Sequence, residues 1–158
     1  MKQSIFKILT NENIADKVYK MTLSGDISDI SATGQFVNIK LDGMFLRRPI
    51  SVCDFENGVL TLIYQVVGKG TEFMSGLKAG YELDILTGLG NGYDLSLSGD
   101  TPLLVGGGVG IPPLYNLAKK LLDEGKKVSV ILGFNTKSEI FYEEEFKALG
   151  CTVLVTTV

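Results

Sequence analysis

The sequence contains no histidine and no tryptophan. Without imidazole, this chain by itself cannot build a Ser-His-Asp triad, a histidine-ligated metal or histidine acid–base catalysis. Its two cysteines, Cys53 and Cys151, lie far apart in apolar segments. They are too few for a four-thiolate zinc or iron–sulfur centre and read as small buried hydrophobes rather than nucleophiles or a disulfide framework. Positive charge is not in excess either, with 15 Lys+Arg against 18 Asp+Glu. Nucleic acid is therefore not the expected partner. No apolar run approaches the roughly 18 residues of a membrane span, and the start Met1-Lys-Gln-Ser-Ile-Phe6 has no long apolar signal region. No membrane association is expected, and the predicted location is cytoplasmic.

Glycine is in surplus, at 19 residues, where ordinary usage would give roughly 11. The glycines gather at Gly68–Gly70, Gly88–Gly92 and Gly106–Gly110, each beside a segment that reads as a strand. All three clusters are expected to mark close approach of backbone to a ligand.

The first hundred residues read as short strands at Ile5–Leu9, Lys17–Leu23, Phe36–Leu41, Ile50–Phe55, Leu60–Val66 and Glu82–Leu86, separated by turn residues. Tyr19, Met21 and Leu23 form an apolar face opposite Val18, Lys20 and Thr22, and Glu56-Asn57-Gly58 predicts a hairpin. Thr71–Leu77 reads as a short helix with Thr71 as its N-cap. After Ser98-Gly99-Asp100 the pattern becomes strand, glycine loop, helix, strand, helix, strand. Leu114, Leu117, Ala118, Leu121 and Leu122 follow helical spacing, with Lys119, Lys120, Asp123 and Glu124 opposite, and Gly125 ends the helix. Val128–Leu132 is the apolar run of a parallel strand buried on both faces. A second helix over Tyr142–Leu149 and a strand over Thr152–Val158 complete the pattern. The expected architecture is a β domain, residues 1–99, followed by the start of a βαβαβ unit, residues 100–158.

Three segments carry chemistry. Leu46-Arg47-Arg48-Pro49-Ile50-Ser51 sets two cations before an apolar strand. That arrangement suits a ligand phosphate bound by Arg48 and Ser51, and equally a solvated strand end. In extended chain Arg47 and Arg48 face opposite ways, so one phosphate cannot use both equally. Tyr64-Gln65-Val66-Val67-Gly68-Lys69-Gly70-Thr71 ends in a glycine loop opening a helix, which favours a pyrophosphate or is a plain capping loop. Lys69 is followed by Gly70, so it is no P-loop. Gly106-Gly107-Gly108-Val109-Gly110-Ile111-Pro112-Pro113 stands between strand and helix, where open α/β sheets bind ligands. The dinucleotide fingerprint with two spaced glycines and a third is not met, and no acid ends the following strand, where Gly133-Phe134-Asn135 stands. Glu143-Glu144-Glu145 reads as a solvated helix start rather than a metal site.

Taken in order, Arg48-Pro-Ile-Ser51, Ile63-Tyr64-Gln65, Gly70-Thr71, Gly88-Leu-Gly90-Asn-Gly92 and Gly106-Gly-Gly-Val-Gly110 resemble the ferredoxin-reductase-like flavoproteins. Within them the Leu-Arg-Arg-Pro-Ile-Ser segment is similar to that of electron-transfer subunits of type B dihydroorotate dehydrogenase. The resemblance implies a six-stranded antiparallel FAD-binding barrel followed by an incomplete Rossmann-like parallel-sheet NAD-binding domain. It implies that Arg48, Pro49, Ile50 and Ser51 line the flavin and its phosphate, Ile63, Tyr64 and Gln65 the ring edge and ribityl chain, and Gly70 and Thr71 the pyrophosphate. Gly107, Gly108, Val109 and Gly110 would face nicotinamide. Relatives often carry an aromatic residue at the place of Ile50 and Arg at the place of Gln65, so aliphatic contact replaces stacking and one cation near the phosphates is lost.

The resemblance further implies an NADH-linked oxidoreductase subunit in pyrimidine biosynthesis. Electrons would pass between NAD(H), FAD and a 2Fe–2S centre, with an FMN-containing dihydroorotate dehydrogenase catalytic subunit as partner. The cysteine cluster for that centre belongs to a segment beyond this sequence, so a longer parent protein is expected. No side chain here is expected to act as catalytic acid or base. Two other readings are an electron-transfer subunit of another ferredoxin-reductase-like oxidoreductase and a non-catalytic flavin- or nucleotide-binding module. NADH is expected over NADPH, because Phe134-Asn135-Thr136-Lys137 offers a single cation for a 2′-phosphate.

Overall fold

In the computed structural model, which describes residues 1–158, the first 89 residues form a closed antiparallel barrel in the order β1-β2-β5-β4-β3-β6. Its strands are β1 (Lys2–Ala15), β2 (Val18–Ser24), β3 (Phe36–Ile39), β4 (Arg48–Glu56), β5 (Val59–Gln65) and β6 (Glu82–Leu89). β1 is long enough to serve two neighbours, pairing with β6 over Lys2–Lys7 and with β2 over Lys7–Ala15. That double pairing closes the barrel and leaves no free edge. The hairpin expected at Glu56-Asn57-Gly58 is present, with Asn57 and Gly58 both at positive φ between Glu56 and Val59. This is the turn geometry that asparagine and glycine tolerate best.

Alternation fills the barrel. Phe6, Ile8, Met21, Leu23, Val37, Ile39, Leu60, Leu62, Leu83 and Ile85 are all buried in one cluster. Helix α1 (Lys69–Ser75) connects β5 to β6. Its N-cap is Gly68, so the expectation of Thr71 as N-cap is corrected. Thr71 lies three residues into the helix and its hydroxyl turns back on the loop, accepting from the N–H groups of Val67 and Gly68 at 2.9 and 3.2 Å. Gly76, expected inside the helix, is its C-cap.

The second layer is a parallel sheet, β7 (Leu103–Gly107), β8 (Ser129–Phe134) and β9 (Thr152–Thr157), with α2 (Pro112–Asp123) and α3 (Glu143–Leu149) between the strands. Pro112 and Pro113 open α2, where a missing N–H costs no intrahelical bond. β8 was expected to be buried on both faces, but the burial is one-sided. Val130, Leu132 and Phe134 are buried under the helices, while Leu103, Val105 and Leu154 stand exposed on the opposite side of the sheet. Tyr142, expected as the first helical residue, instead precedes α3 in left-handed backbone at φ 68°. No helix is long and apolar enough to cross a membrane.

The two layers share a core. Val18, Cys53 and Ile63 project outward from the barrel and are buried with Ile111, Leu114, Leu117, Ala118 and Phe146. Burial pushes the Cys53 thiol up to about 12 and also raises that of Cys151, as expected of inert, packed cysteines. Beside Cys53, Asp54 of β4 accepts from Asn116 Nδ2 at 2.8 Å and from Lys119 Nζ at 2.9 Å, both on α2. Lys119, read from spacing as part of the solvent face, is thus drawn onto the barrel. Replacing Asp54 by Ala leaves a buried amide without its acceptor and a half-buried ammonium with only the more distant Glu56 carboxylate, at 3.4 Å. Denaturant unfolding should register a loss of about 1–3 kcal/mol. An unchanged midpoint would mean that this clasp contributes nothing to holding the layers together.

Candidate functional site

Two clefts open on the side where the glycine loops lie. The first, about 320 Å³, is lined by Arg48, Pro49, Ile50 and Ser51 from β4, Ile63, Tyr64 and Gln65 from β5, and Val67, Thr71 and Val109. β4 and β5 are adjacent antiparallel strands, which brings together two segments that are separate in sequence.

Arg48 is the one charged side chain in this lining. Its Nη1 donates to the Leu46 carbonyl and its Nη2 contacts the Met44 sulfur at 3.5 Å. A guanidinium carries five N–H donors, so most of its capacity remains for an anion. Arg47 faces the other way and is engaged. It donates to Asp84 Oδ1 at 3.0 Å, to the Asp84 carbonyl at 3.1 Å and to the Asn38 carbonyl at 3.3 Å. Gly70 does not line the cleft but lies under Arg48, since a Cβ there would come within 2.8 Å of the Arg48 Cζ. Glycine at this position leaves room for the guanidinium against the loop.

The tyrosine and threonine in the cleft are less available than their chemistry suggests. Tyr64 donates its hydroxyl to Asn11 Oδ1 at 2.8 Å, and burial raises its pKa. Asn11 in turn donates to the carbonyls of Met74 and Leu77 at the end of α1. Asn11 has no local sequence signal; it acts from β1, 53 residues from Tyr64. The Thr71 hydroxyl, occupied by its own loop, shapes the turn rather than offering a free donor.

The second cleft, about 510 Å³, is lined by Val18 and Gln65 of the barrel, by Gly107, Gly108 and Val109 at the end of β7, by Gly133, Phe134, Asn135, Glu139 and Phe141 around the exit of β8, and by Thr156, Thr157 and Val158 at the end of β9. It lies outside the carboxyl ends of the parallel strands, where such sheets bind ligands. Gly110, expected among the lining residues, is not one of them. The neighbouring glycines differ in role. A Cβ on Gly106 would strike Leu114 Cδ1 at 2.7 Å, whereas one on Gly107 would meet only the Gly133 carbonyl at 3.8 Å. On Gly108 it would meet nothing within 4 Å. Gly106 therefore serves helix packing, and Gly107 and Gly108 leave a backbone cradle that side chains would fill. The glycines at 88, 90 and 92, expected to approach a ligand, serve the fold instead. All have positive φ, and their Cβ positions run into Asp29, Phe36 and Ala32.

Gln65 and Val109 line both clefts, so the two meet there. The first contains a cation and the second a single charged side chain, the carboxylate of Glu139. A backbone cradle in the second cleft and a guanidinium with no acidic partner in the first fit a dinucleotide beside a phosphate-bearing flavin. The glutamates at the start of α3 take no part, as Glu143 and Glu144 pair with Lys147 at 3.1 and 3.3 Å.

Comparison with known proteins follows the same division. The oxidoreductase NAD-binding domain family matches residues 104–152. The dihydroorotate dehydrogenase B (NAD(+)) electron transfer subunit of Bacillus pumilus (strain SAFR-032) is 46% identical over 164 aligned positions, covering 99% of this chain and 64% of the relative. The subunit of the same name from Fusobacterium nucleatum is 49% identical, covering 92% of this chain and 60% of the relative. The chain thus spans less than two thirds of the length of these relatives. Among solved structures, that of an NADH-dependent reduced ferredoxin-NADP oxidoreductase, described in connection with flavin-based electron bifurcation, superposes at TM-score 0.86 with 35% identity, covering 96% of this chain and 56% of the other. An Amycolatopsis cytochrome P450 reductase has the same fold at TM-score 0.87 with 21% identity, covering 99% of this chain and 52% of the other.

Proposed function

We propose that this chain, 46% identical to a dihydroorotate dehydrogenase B electron transfer subunit over 64% of that relative, is a ferredoxin-reductase-like flavoprotein and the FAD- and NAD-binding part of an NADH-oxidising electron-transfer subunit. Residues 1–99 hold the flavin and residues 100–158 begin the dinucleotide domain. The observation that carries this reading is the meeting of the two clefts at Gln65 and Val109. Hydride transfer requires the donor and acceptor rings to touch, and no polar side chain intervenes there except Gln65.

The residues divide the work. Arg48 binds the flavin phosphate, Ile50 and Pro49 give its ring an apolar contact, and Ser51 offers a hydroxyl. Ile63, Tyr64 and Gln65 present the end of β5, and Thr71 lies toward the pyrophosphate, with Gly70 beneath the Arg48 guanidinium. Gly107, Gly108 and Val109 let the nicotinamide approach, with Gly110 setting the turn into α2. FAD, when bound, supplies the ability to accept a hydride and release single electrons. The protein orients and encloses; no side chain in either cleft is placed as an acid or base for the transfer.

In the longer parent a 2Fe–2S centre would receive the electrons, and the partner is the FMN-containing catalytic subunit of dihydroorotate dehydrogenase, in cytoplasmic pyrimidine biosynthesis. Support for this comes from relatives named as electron transfer subunits, 40–49% identical to this chain. A second reading, a subunit serving another oxidoreductase, is favoured by the 35% identity to the NADH-dependent reduced ferredoxin-NADP oxidoreductase.

Anaerobic mixing of the FAD-loaded chain with NADH tests the first half. Loss of the flavin's visible absorption within seconds is expected, and an unchanged spectrum would leave a binding module without turnover. Copurification of the full-length parent tests the second half. A stable complex with a dihydroorotate dehydrogenase catalytic subunit is expected, whereas a complex with a different oxidoreductase selects the second reading.

A further inference from the structure

We propose that Met44 is an oxidation site that governs flavin binding: conversion of its thioether to the sulfoxide by a peroxide sets a strong acceptor against Arg48 and lowers the affinity for FAD. The proposal rests on the reading of the first cleft as the flavin site.

Of the four methionines in the chain, three are unsuited to this role. Met21 and Met74 are fully buried in the barrel core, out of reach of a dissolved oxidant. Met1 is exposed, but its amino group pairs with Asp29 and it lines neither cleft. Met44 stands in the loop between β3 and β4, half-buried between the exposed Gly43 and Phe45. Its sulfur is 3.5 Å from Arg48 Nη2. The two thiols compete poorly for the oxidant, since both are buried with raised pKa and a thiol reacts as its thiolate.

The surroundings of Arg48 make the state of this sulfur matter. Nη1 gives an N–H to the Leu46 carbonyl, and Nε lies against Gly70. Nη2 thus keeps the most donor capacity for an anion. A thioether is a weak acceptor and takes little of it from a phosphate. On oxidation the sulfur gives an electron pair to one peroxide oxygen, the O–O bond breaks, an S–O bond forms and the second oxygen leaves as water. The thioether loses two electrons and the peroxide gains them. The product carries a polar oxygen one bond length from a sulfur already in contact with Nη2. That oxygen draws a charge-assisted hydrogen bond from the guanidinium which the flavin phosphate otherwise receives. No other charged side chain lines the cleft to replace it. Methionine sulfoxide reductases reverse the change, which makes the site a switch.

The test is titration of FAD into the apo chain before and after treatment with dilute hydrogen peroxide, with peptide masses locating the added oxygen. Met44 should gain one oxygen before Met21 or Met74 does. FAD affinity should then fall by about tenfold or more, and a pair of sulfoxide reductases, one for each epimer, should restore it. Met44→Leu removes the sulfur and keeps an apolar side chain of similar volume. Peroxide should change the affinity of this variant by less than about threefold from its own untreated value. An unchanged affinity once the Met44 sulfoxide has formed, an equal fall in Met44→Leu, or a loss that the reductases do not restore overturns the proposal while leaving the cleft a flavin site. So does a Met44 that stays unoxidised when Met1 is fully oxidised. Failure of the untreated chain to bind FAD overturns the flavin reading and this proposal with it.

Discussion

Replacing Arg48 by Ala should weaken FAD binding by about ten- to a hundredfold, whereas replacing Arg47 by Ala should change it by less than about threefold. The difference follows from where two adjacent guanidinium groups point. Arg48 is the only charged side chain in the first cleft and keeps most of its donors free. Arg47 is turned to the other side of β4 and bonded to Asp84 and Asn38. Its loss should appear in stability instead. Asp84 loses its ion-pair partner in a site about one-fifth exposed, and two carbonyls lose a donor, a change worth about 1–2 kcal/mol. Titrating FAD into both apo variants, together with urea unfolding of each, separates the two effects. Equal losses of FAD affinity, or a larger one for Arg47→Ala, would mean that the phosphate lies on the opposite face of the strand.

A comparable separation is expected for the adjacent glycines Gly106 and Gly107. Gly106→Ala forces a methyl group against Leu114 Cδ1 at 2.7 Å and Ile111 Cγ1 at 3.2 Å, beneath α2. Overpacking of this kind costs about 1–3 kcal/mol, which in a chain of this size lowers the melting temperature by about 2–4 °C per kcal/mol. Gly107→Val should behave oppositely. Gly107 has extended backbone, φ −126° and ψ 134°, which suits valine, and the space beyond its Cα is open except for the Gly133 carbonyl at 3.8 Å. The added side chain would occupy the second cleft without disturbing the core. NADH binding should fall by about tenfold or more, with the melting temperature and FAD affinity retained. A Gly107→Val protein that binds NADH normally would show that the dinucleotide does not pass over this loop.

These contrasts mark how far local pattern reaches in this protein. Alternation in Tyr19-Lys20-Met21-Thr22-Leu23 selects a strand with one apolar side, and Met21 and Leu23 do lie in the barrel core. Asn57-Gly58 selects a two-residue turn because those residues accept positive φ. The helical spacing from Leu114 to Leu121 and the prolines at 112 and 113 set α2 and its start. Each depends on neighbours within one turn or one strand, so the sequence states it directly. Arg48 and Ile63–Gln65 line one cleft, as the family resemblance implied, although the residues by themselves left a solvated strand end and a plain capping loop open.

What the chain does between distant segments was not legible. Val18 shares its side of β2 with Lys20 and Thr22, yet it is buried, because the second layer packs on the outside of the barrel there. Lys119 reads as solvent-facing until Asp54, 65 residues away, meets it across that boundary. Gly106, Gly107 and Gly90 are the same residue in glycine-rich runs, and only the atoms opposite each one separate packing from cleft from turn. Local sequence thus determined the strands, the turns, the helices and the residues able to bind an anion. Tertiary structure alone decided which outward faces are buried, which groups engage Arg47 and where Glu139 is held. These outcomes depend on contacts between segments far apart in the chain, which short-range periodicity does not encode.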